Sequence, residues 1–128
     1  MKQQIIHTQN APNAIGPYSQ ATVYDKFIFA SGQLPIDPTT GKFPEGGIKE
    51  QTKQSILNLK AILSEAGSGL ECVLKTNVYL NNMDDFAAMN QVYAEFFTKE
   101  YPARSAVQVA KLPKNALVEI EAVAYRKN

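Results

Sequence analysis

Two amphipathic helical runs each link one strand-like segment to the next, and this order constrains the fold more than any other feature of the chain. Ile48 to Ala66 reads as a helix. Thr52, Ile56, Leu59, Leu63 and Ala66 recur at three- and four-residue steps, Ile62 widens the stripe, and Gly67 supplies the stop. Asp84 caps the second helix, which carries Phe86, Met89, Tyr93, Phe96 and Phe97 and ends by Pro102. Strand patterns surround these runs. Ile5-Ile6 begins the chain's first short strand, and Ala21 to Tyr24 with Phe27 to Ser31 flank Asp25-Lys26 as a tight hairpin. Leu34 to Gly47 holds Pro35, Pro38, Pro44, Gly41, Gly46 and Gly47, too many breakers for a regular element. Cys72 to Leu80 alternates Leu74, Thr76, Val78 and Leu80 against Val73, Lys75, Asn77 and Tyr79. Two further strands run from Arg104 to Ala110 and from Leu117 to Tyr125.

The element order is therefore β-β-β-α-β-α-β-β, an α+β pattern without internal repeats. Right-handed crossovers would place both helices on one face of one sheet where the sheet order permits it. The other face is then left with Lys75, Asn77, Tyr79, Gln108, Glu119, Glu121, Val123 and Tyr125, a mixture of apolar and polar groups. Two helices cannot cover both faces, and a mixed open face suits a subunit contact. The expectation is a homo-oligomer with its sheets packed inward.

Length and charge narrow the function classes. A chain of 128 residues is read as one domain spanning 1–128, long enough to bury a core without staples. Thirteen basic against 12 acidic residues leave a net +1, so no global field points to nucleic acid or an anionic membrane. The lone Cys72 excludes an internal disulfide, and with the single His7 it cannot build a Cys/His zinc site. No apolar run has the length of a membrane span, and Met1-Lys2-Gln3-Gln4 does not lead into a signal-peptide core. These readings together favour the reducing cytoplasm.

Several residues are candidates for chemistry. Arg104 stands where a helix ends at Pro102 and an alternating segment begins, with Ala106, Gln108 and Ala110 on its side and Ser105, Val107 and Val109 on the other. A guanidinium there is either a solvated strand end or a planar fork for a carboxylate. The mixed outer face suggests that it points into a cleft completed by a neighbouring subunit. Ala14-Ile15-Gly16-Pro17-Tyr18-Ser19-Gln20 is a stiff loop presenting Tyr18, and Ser31-Gly32-Gln33 ends the hairpin where glycine permits close approach of a ligand or marks a bulge. Asn90 lies on the apolar face of the second helix, so its amide needs a partner, either backbone or ligand. Glu119 and Glu121 share one side of the last strand, where a carboxylate is solvated, paired with lysine, or able to hold a water beside a ligand.

Taken in order, these segments resemble the signatures of the Rid (YjgF-type) family of reactive intermediate deaminases, in the subgroup that carries a substrate-binding arginine. The resemblance rests on Ala14 to Gln20, Ser31-Gly32-Gln33, Asp85-Phe86 through Asn90-x-x-Tyr93, Pro102-Ala103-Arg104-Ser105, and Val109 to Pro113 followed by Val118-Glu119-Ile120-Glu121. It runs nearly end to end. It implies a chorismate-mutase-like fold with one mixed six-stranded sheet, two helices on one face and trimerisation through the other. It also implies a homotrimer with three sites between subunits. The implied activity is hydrolysis of 2-iminopropanoate and 2-iminobutanoate to 2-oxo acids and ammonia. The imines would come from pyridoxal-phosphate-dependent serine and threonine dehydratases.

By the same resemblance, Arg104 clamps the substrate carboxylate and Ser31 and Gly32 line the site. Tyr18 and Asn90 are pocket side chains, and Glu119 is the carboxylate associated with the hydrolytic water. Many members carry cysteine directly after the Arg-Ser pair. Ala106 stands there in this chain, which keeps the backbone contribution and removes any thiol-dependent role. A protonated imine is already an electrophile, so neither cofactor, metal nor covalent nucleophile is demanded. Two other classes compete: a non-catalytic regulatory protein binding 2-oxo acids in the same cleft, and an RNA-directed activity. The +1 charge and the lack of a basic run oppose the second.

Overall fold

A computed structural model describes residues 1–127. Six strands, β1 (Gln4–Ile6), β2 (Ala21–Tyr24), β3 (Phe27–Gln33), β4 (Val73–Leu80), β5 (Ala103–Gln108) and β6 (Val118–Tyr125), form one sheet in the order β1-β2-β3-β6-β4-β5. Every neighbouring pair is antiparallel except β4 with β5, whose parallel register requires the crossover through α2 (Phe86–Phe96). The longer helix, α1 (Ile48–Glu65), crosses from β3 to β4. The sheet is thus mixed and six-stranded, with both helices on one face, as the element order predicts.

The core lies between that face and the helices. Ile56, Leu59, Ile62 and Leu63 of α1 and Met89 of α2 are fully buried against Ile28, Val78, Leu80, Ile120 and Ala124 of the sheet. The stripe on α1 also carries four buried polar residues, Gln51, Thr52, Ser55 and Asn58. Asn58 donates to the carbonyls of Leu34 (3.1 Å) and Ile36 (2.9 Å), and Gln51 accepts from the Leu117 amide (2.8 Å). These amides fasten the breaker-rich segment and the start of β6 to the helix, in place of a regular element.

Four local readings are corrected. The 3₁₀ turn Met83–Asp85 precedes α2, and Asn82 caps that turn, its side chain accepting from the Asp84 amide. The N-cap position of α2 itself is Asp85, which makes no side-chain cap bond, so Asp84 does not cap the helix. Cys72 belongs to a 3₁₀ turn (Leu70–Cys72) and is buried there as a small hydrophobe. A register shift between Val73 and Lys75 turns Val73 inward and leaves Leu74 exposed, because a bulge reverses the two-residue alternation behind it.

The fourth correction concerns β5. Thr76, Val78 and Leu80 point toward the helices, and they pair with Arg104, Ala106 and Gln108. In a parallel pair, partners in register share a face. Arg104 and Gln108 therefore lie on the helix side, not on the open face, and the Gln108 side chain accepts from the Met83 amide at 2.7 Å. The open face instead receives Ser105 and Val107. They join Lys75, Asn77, Tyr79, Glu119, Glu121, Val123 and Tyr125, together with Ile5, Tyr24, Phe27 and Phe29 of the first three strands. No helix of the described residues is long and apolar enough to cross a membrane.

Candidate functional site

The candidate residues fall into two groups on opposite faces of the sheet. The first surrounds a bulge. The β3–β6 register shifts between Ala30 and Gln33, which lifts Ser31 and Gly32 out of the ladder. The Glu119 side chain packs directly on the Gly32 backbone, so close that a β-carbon there would stand 2.9 Å from the Glu119 carboxyl carbon. Glycine lets the carboxylate sit this close, and any larger residue would push the Glu119 side chain aside.

Tyr18 approaches from the side. Gly16 has a φ of +125° and Pro17 stiffens the turn after it, so the Tyr18 amide closes back on the Gly16 carbonyl at 2.9 Å. The loop is anchored by Gln20, which is buried. Its amide nitrogen donates to the carbonyls of Thr8 (3.0 Å) and Pro12 (2.8 Å), and its oxygen accepts from the Thr8 amide (2.7 Å). Ser31 donates its hydroxyl to the Ser19 carbonyl at 2.6 Å, so that hydroxyl is committed to holding the loop. A cleft of about 680 Å³ opens among Tyr18, Ser31, Gly32, Glu119, Ile15 and Leu34. Lys114 is the one cation among its lining residues, held with Asn115 in two successive left-handed conformations after Pro113.

Electrostatics at this cleft concern paired acids. Burial, reinforced by the charge of Glu121, holds the Glu119 carboxyl above its ordinary value of 4.5. Tyr79 donates its phenol to Glu121, and that bond with the accompanying burial pushes the phenol up to about 12. Glu121 is thus tied sideways along the open face, while Glu119 is directed at Gly32.

The second group gathers on the helix face at the sheet edge. The Arg104 guanidinium carbon lies 4.8 Å from the Tyr93 ring centroid and 5.5 Å from that of Phe86, both within cation–π range. One of its terminal nitrogens, Nη1, donates to the Asn90 amide oxygen at 2.7 Å. The partner of Asn90 is therefore this guanidinium rather than backbone. Tyr93 is itself fixed, its hydroxyl 2.8 Å from Thr76 Oγ1 and its ring 4.4 Å from that of Phe97. A shallow recess beside Arg104 is walled by Asn90, Tyr93, Ala94, Tyr101 and Pro102. No carboxylate of the described residues lies within 4.0 Å of the guanidinium. Ala106, half-buried one turn of the strand pattern further on, packs against the core from the same face.

Tyr18, Ser31, Gly32 and Glu119 are therefore brought together, as are Arg104 and Asn90, but the two sets do not meet within one chain. β6 and β4 stand between β3 and β5, about 14 Å of sheet at ordinary strand spacing, and Glu119 on β6 is still two strand spacings from β5 and on the opposite face. Sequence reading missed Gln20, Tyr93, Phe86 and Tyr101 as parts of this architecture. Tyr93 and Phe86 read as core stripe, and only the crossover that lays α2 over β5 shows a cation above them. Gln20 carried a usable signal, a long amide among loop residues whose carbonyls lack regular partners. Among the described residues, no group of His, Cys, Asp and Glu is arranged to hold a metal ion.

The whole chain has counterparts among known proteins. It is 54% identical over 127 residues to a RutC family protein of Pyrococcus abyssi, covering 99% of this chain and all of that protein. It is 46% identical over 123 residues to the human 2-iminobutanoate/2-iminopropanoate deaminase, covering 96% of this chain and 90% of the human one. The crystal structure of Escherichia coli TdcF with bound serine superimposes with a TM-score of 0.92 at 44% identity, covering 97% of this chain and 99% of that one. The profile of the family described as Endoribonuclease L-PSP matches residues 8–126. The chain belongs to that family, the YjgF/Rid family.

Proposed function

We propose that this protein is a 2-iminobutanoate/2-iminopropanoate deaminase whose active site forms where two copies of the chain meet, in a homotrimer packed through the open sheet faces. The observation that carries the reading is the state of Arg104. It is a half-buried guanidinium, oriented by Asn90 and two aromatic rings, with its remaining donors unmatched by any carboxylate of the described residues. A 2-imino acid supplies the missing carboxylate. The name of the human relative supports the substrate class, and the serine bound to the Escherichia coli relative is a small carboxylate of similar size.

The chemistry follows from the two half-sites. Arg104 holds the substrate carboxylate as a charge-assisted bidentate pair worth about 1.5–3 kcal/mol. Glu119 of a neighbouring copy, seated on Gly32, holds a water against the imine carbon. The water oxygen bonds to that carbon while its proton passes to Glu119, and the C=N electrons go to nitrogen. Glu119 then returns the proton to the nitrogen of the carbinolamine. The C–N bond breaks and ammonia leaves while the carbinolamine hydroxyl gives its proton to Glu119, forming the carbonyl of the 2-oxo acid, and Glu119 passes that proton on to the departing ammonia. A carboxyl held above its ordinary value by burial suits both halves of this shuttle, which contributes about 10²–10⁴-fold. Tyr18 closes the side of the cleft, and placing substrate and water together supplies much of the remaining gain. Ala106 leaves the backbone of β5 in place, so no thiol enters the reaction. Pyridoxal-phosphate-dependent serine and threonine dehydratases are the expected source of the imines, in the cytoplasm.

Coupling a threonine dehydratase to the purified protein and trapping surviving imine as semicarbazone tests the reading. Wild type should suppress the trapped product and Arg104→Ala should not. Equal suppression by both would overturn the assignment. A binding-only regulator would take up 2-oxobutanoate in calorimetry without suppressing the trap.

A further inference from the structure

We infer that Tyr93, with Phe86, is a positioning residue for substrate recognition: its ring face sets the plane of the Arg104 guanidinium so that the fork meets a carboxylate edge-on. The inference rests on the proposed role of Arg104 and extends it to the residues that hold its guanidinium.

A guanidinium on a four-bond stem has many orientations, and its bidentate match to a carboxylate exists in only one plane. Three contacts select that plane. Asn90 takes one Nη1 hydrogen at 2.7 Å, Tyr93 lies 4.8 Å from the guanidinium carbon, and Phe86 lies 5.5 Å from it. Asn90 alone would leave rotation about its single hydrogen bond. The rings remove that freedom, because a cation attracted to a π face lies over it.

The support is itself immobile. Tyr93 is 6% exposed, its hydroxyl meets the fully buried Thr76 at 2.8 Å, and Phe97 leans on its ring at 4.4 Å. Thr76 is the register partner of Arg104 across β4 and β5. The strand that carries the arginine and the strand that anchors its platform are thus hydrogen-bonded neighbours, and the platform cannot drift from the cation. Phe86 and Asn90 stand one helical turn apart on α2, and Tyr93 follows Asn90 by three residues, so one helix face supplies all three contacts. Position 93 accordingly has two separable functions. The hydroxyl anchors the helix to β4, and the ring face holds the guanidinium.

The separation defines the test. Calorimetry with 2-oxobutanoate and with its neutral analogue 2-oxobutanamide is run on wild type, Tyr93→Leu, Tyr93→Phe, Phe86→Leu and Arg104→Ala, with thermal melting of each. Tyr93→Leu should weaken binding of the acid by about 2- to 30-fold and leave the amide unchanged. Tyr93→Phe should recover most of the acid's affinity while melting at a lower temperature, because Thr76 loses its partner. A purely structural role would instead make affinity follow melting temperature and weaken acid and amide alike, and that pattern would overturn the inference. Should Tyr93→Leu not fold, Phe86→Leu decides: acid-selective weakening supports the inference, and wild-type binding of the acid overturns it. Undiminished acid binding by Arg104→Ala would remove the proposed role of Arg104 itself. Loss in Arg104→Ala with no change in either ring variant would remove only the platform.

Discussion

Arg104 and Glu119 bear the opposite charges of the proposed site, yet each is prepared by a neutral neighbour. The arginine lies over the Tyr93 ring and the carboxylate rests on Gly32, so substitutions at the neighbours should act on function before stability. Gly32→Ala forces the Glu119 carboxyl aside, and the displaced atoms are the far end of a flexible chain. Imine hydrolysis should fall at least tenfold in a semicarbazone assay with the melting temperature nearly unchanged, since misplacing a catalytic group by about 1 Å costs roughly 10²-fold. Arg104→Lys should also lose most activity, because an ammonium cannot reproduce the planar fork. Glu119 gives a pH-dependent signature. Its folded-state value lies above the ordinary 4.5, so ionisation opposes folding, and the penalty grows as pH rises from 4.5 through the folded value. Glu119→Gln should therefore melt above wild type at pH 7 and lose that advantage at pH 4, as thermal scans at the two pH values would show.

At the scale of elements, α1 governs the cleft from behind. Asn58 reaches out of the helix to the Leu34 and Ile36 carbonyls, and both of those residues line the Glu119 cleft. Asn58→Ala should cost about 2–3 kcal/mol by leaving these acceptors unmatched, measurable by chemical denaturation, and it should loosen the cleft wall as well. Ser55 on the same helix behaves oppositely. Its buried hydroxyl has no hydrogen-bond partner among the described residues, so Ser55→Ala should be neutral or stabilising by about 1 kcal/mol. The helices and strands were legible from periodicity to within a few residues, because the stripes on α1 and α2 are long and regular. The exceptions are places where a local event breaks the period. The bulge at Leu74 reversed the alternation, and Asn82 caps a 3₁₀ turn ahead of α2, which receives no side-chain cap from Asp84 or Asp85.

For the whole molecule, the open face is the decisive surface. Ile5, Tyr24, Phe27, Phe29 and Tyr125 are 40–54% exposed there, side by side across β1, β2, β3 and β6, while Glu119 sits at its margin. Packing that face against other copies would bring the Glu119 half-site of one chain to the Arg104 edge of the next, which a single sheet keeps apart. Light scattering should report three times the mass of one chain. Phe29→Glu should yield monomers that keep their far-UV circular dichroism and lose imine hydrolysis, because the charge must otherwise be buried.

The sequence by itself determined the element order, the common face of the two helices once the sheet order is given, and which residues are candidates for the proposed chemistry. Those follow from periodicity, turn residues and side-chain type, which act within a few positions along the chain. The face on which Arg104 stands depended on the parallel register of β5 with β4, a pairing between segments joined only through α2. The rings beneath its guanidinium and the separation of the candidate residues into two groups arose from the same crossover and from the strand order. These are non-local facts: strand pairing and helix docking set them through the packing of the whole sheet, so only the tertiary structure could decide them.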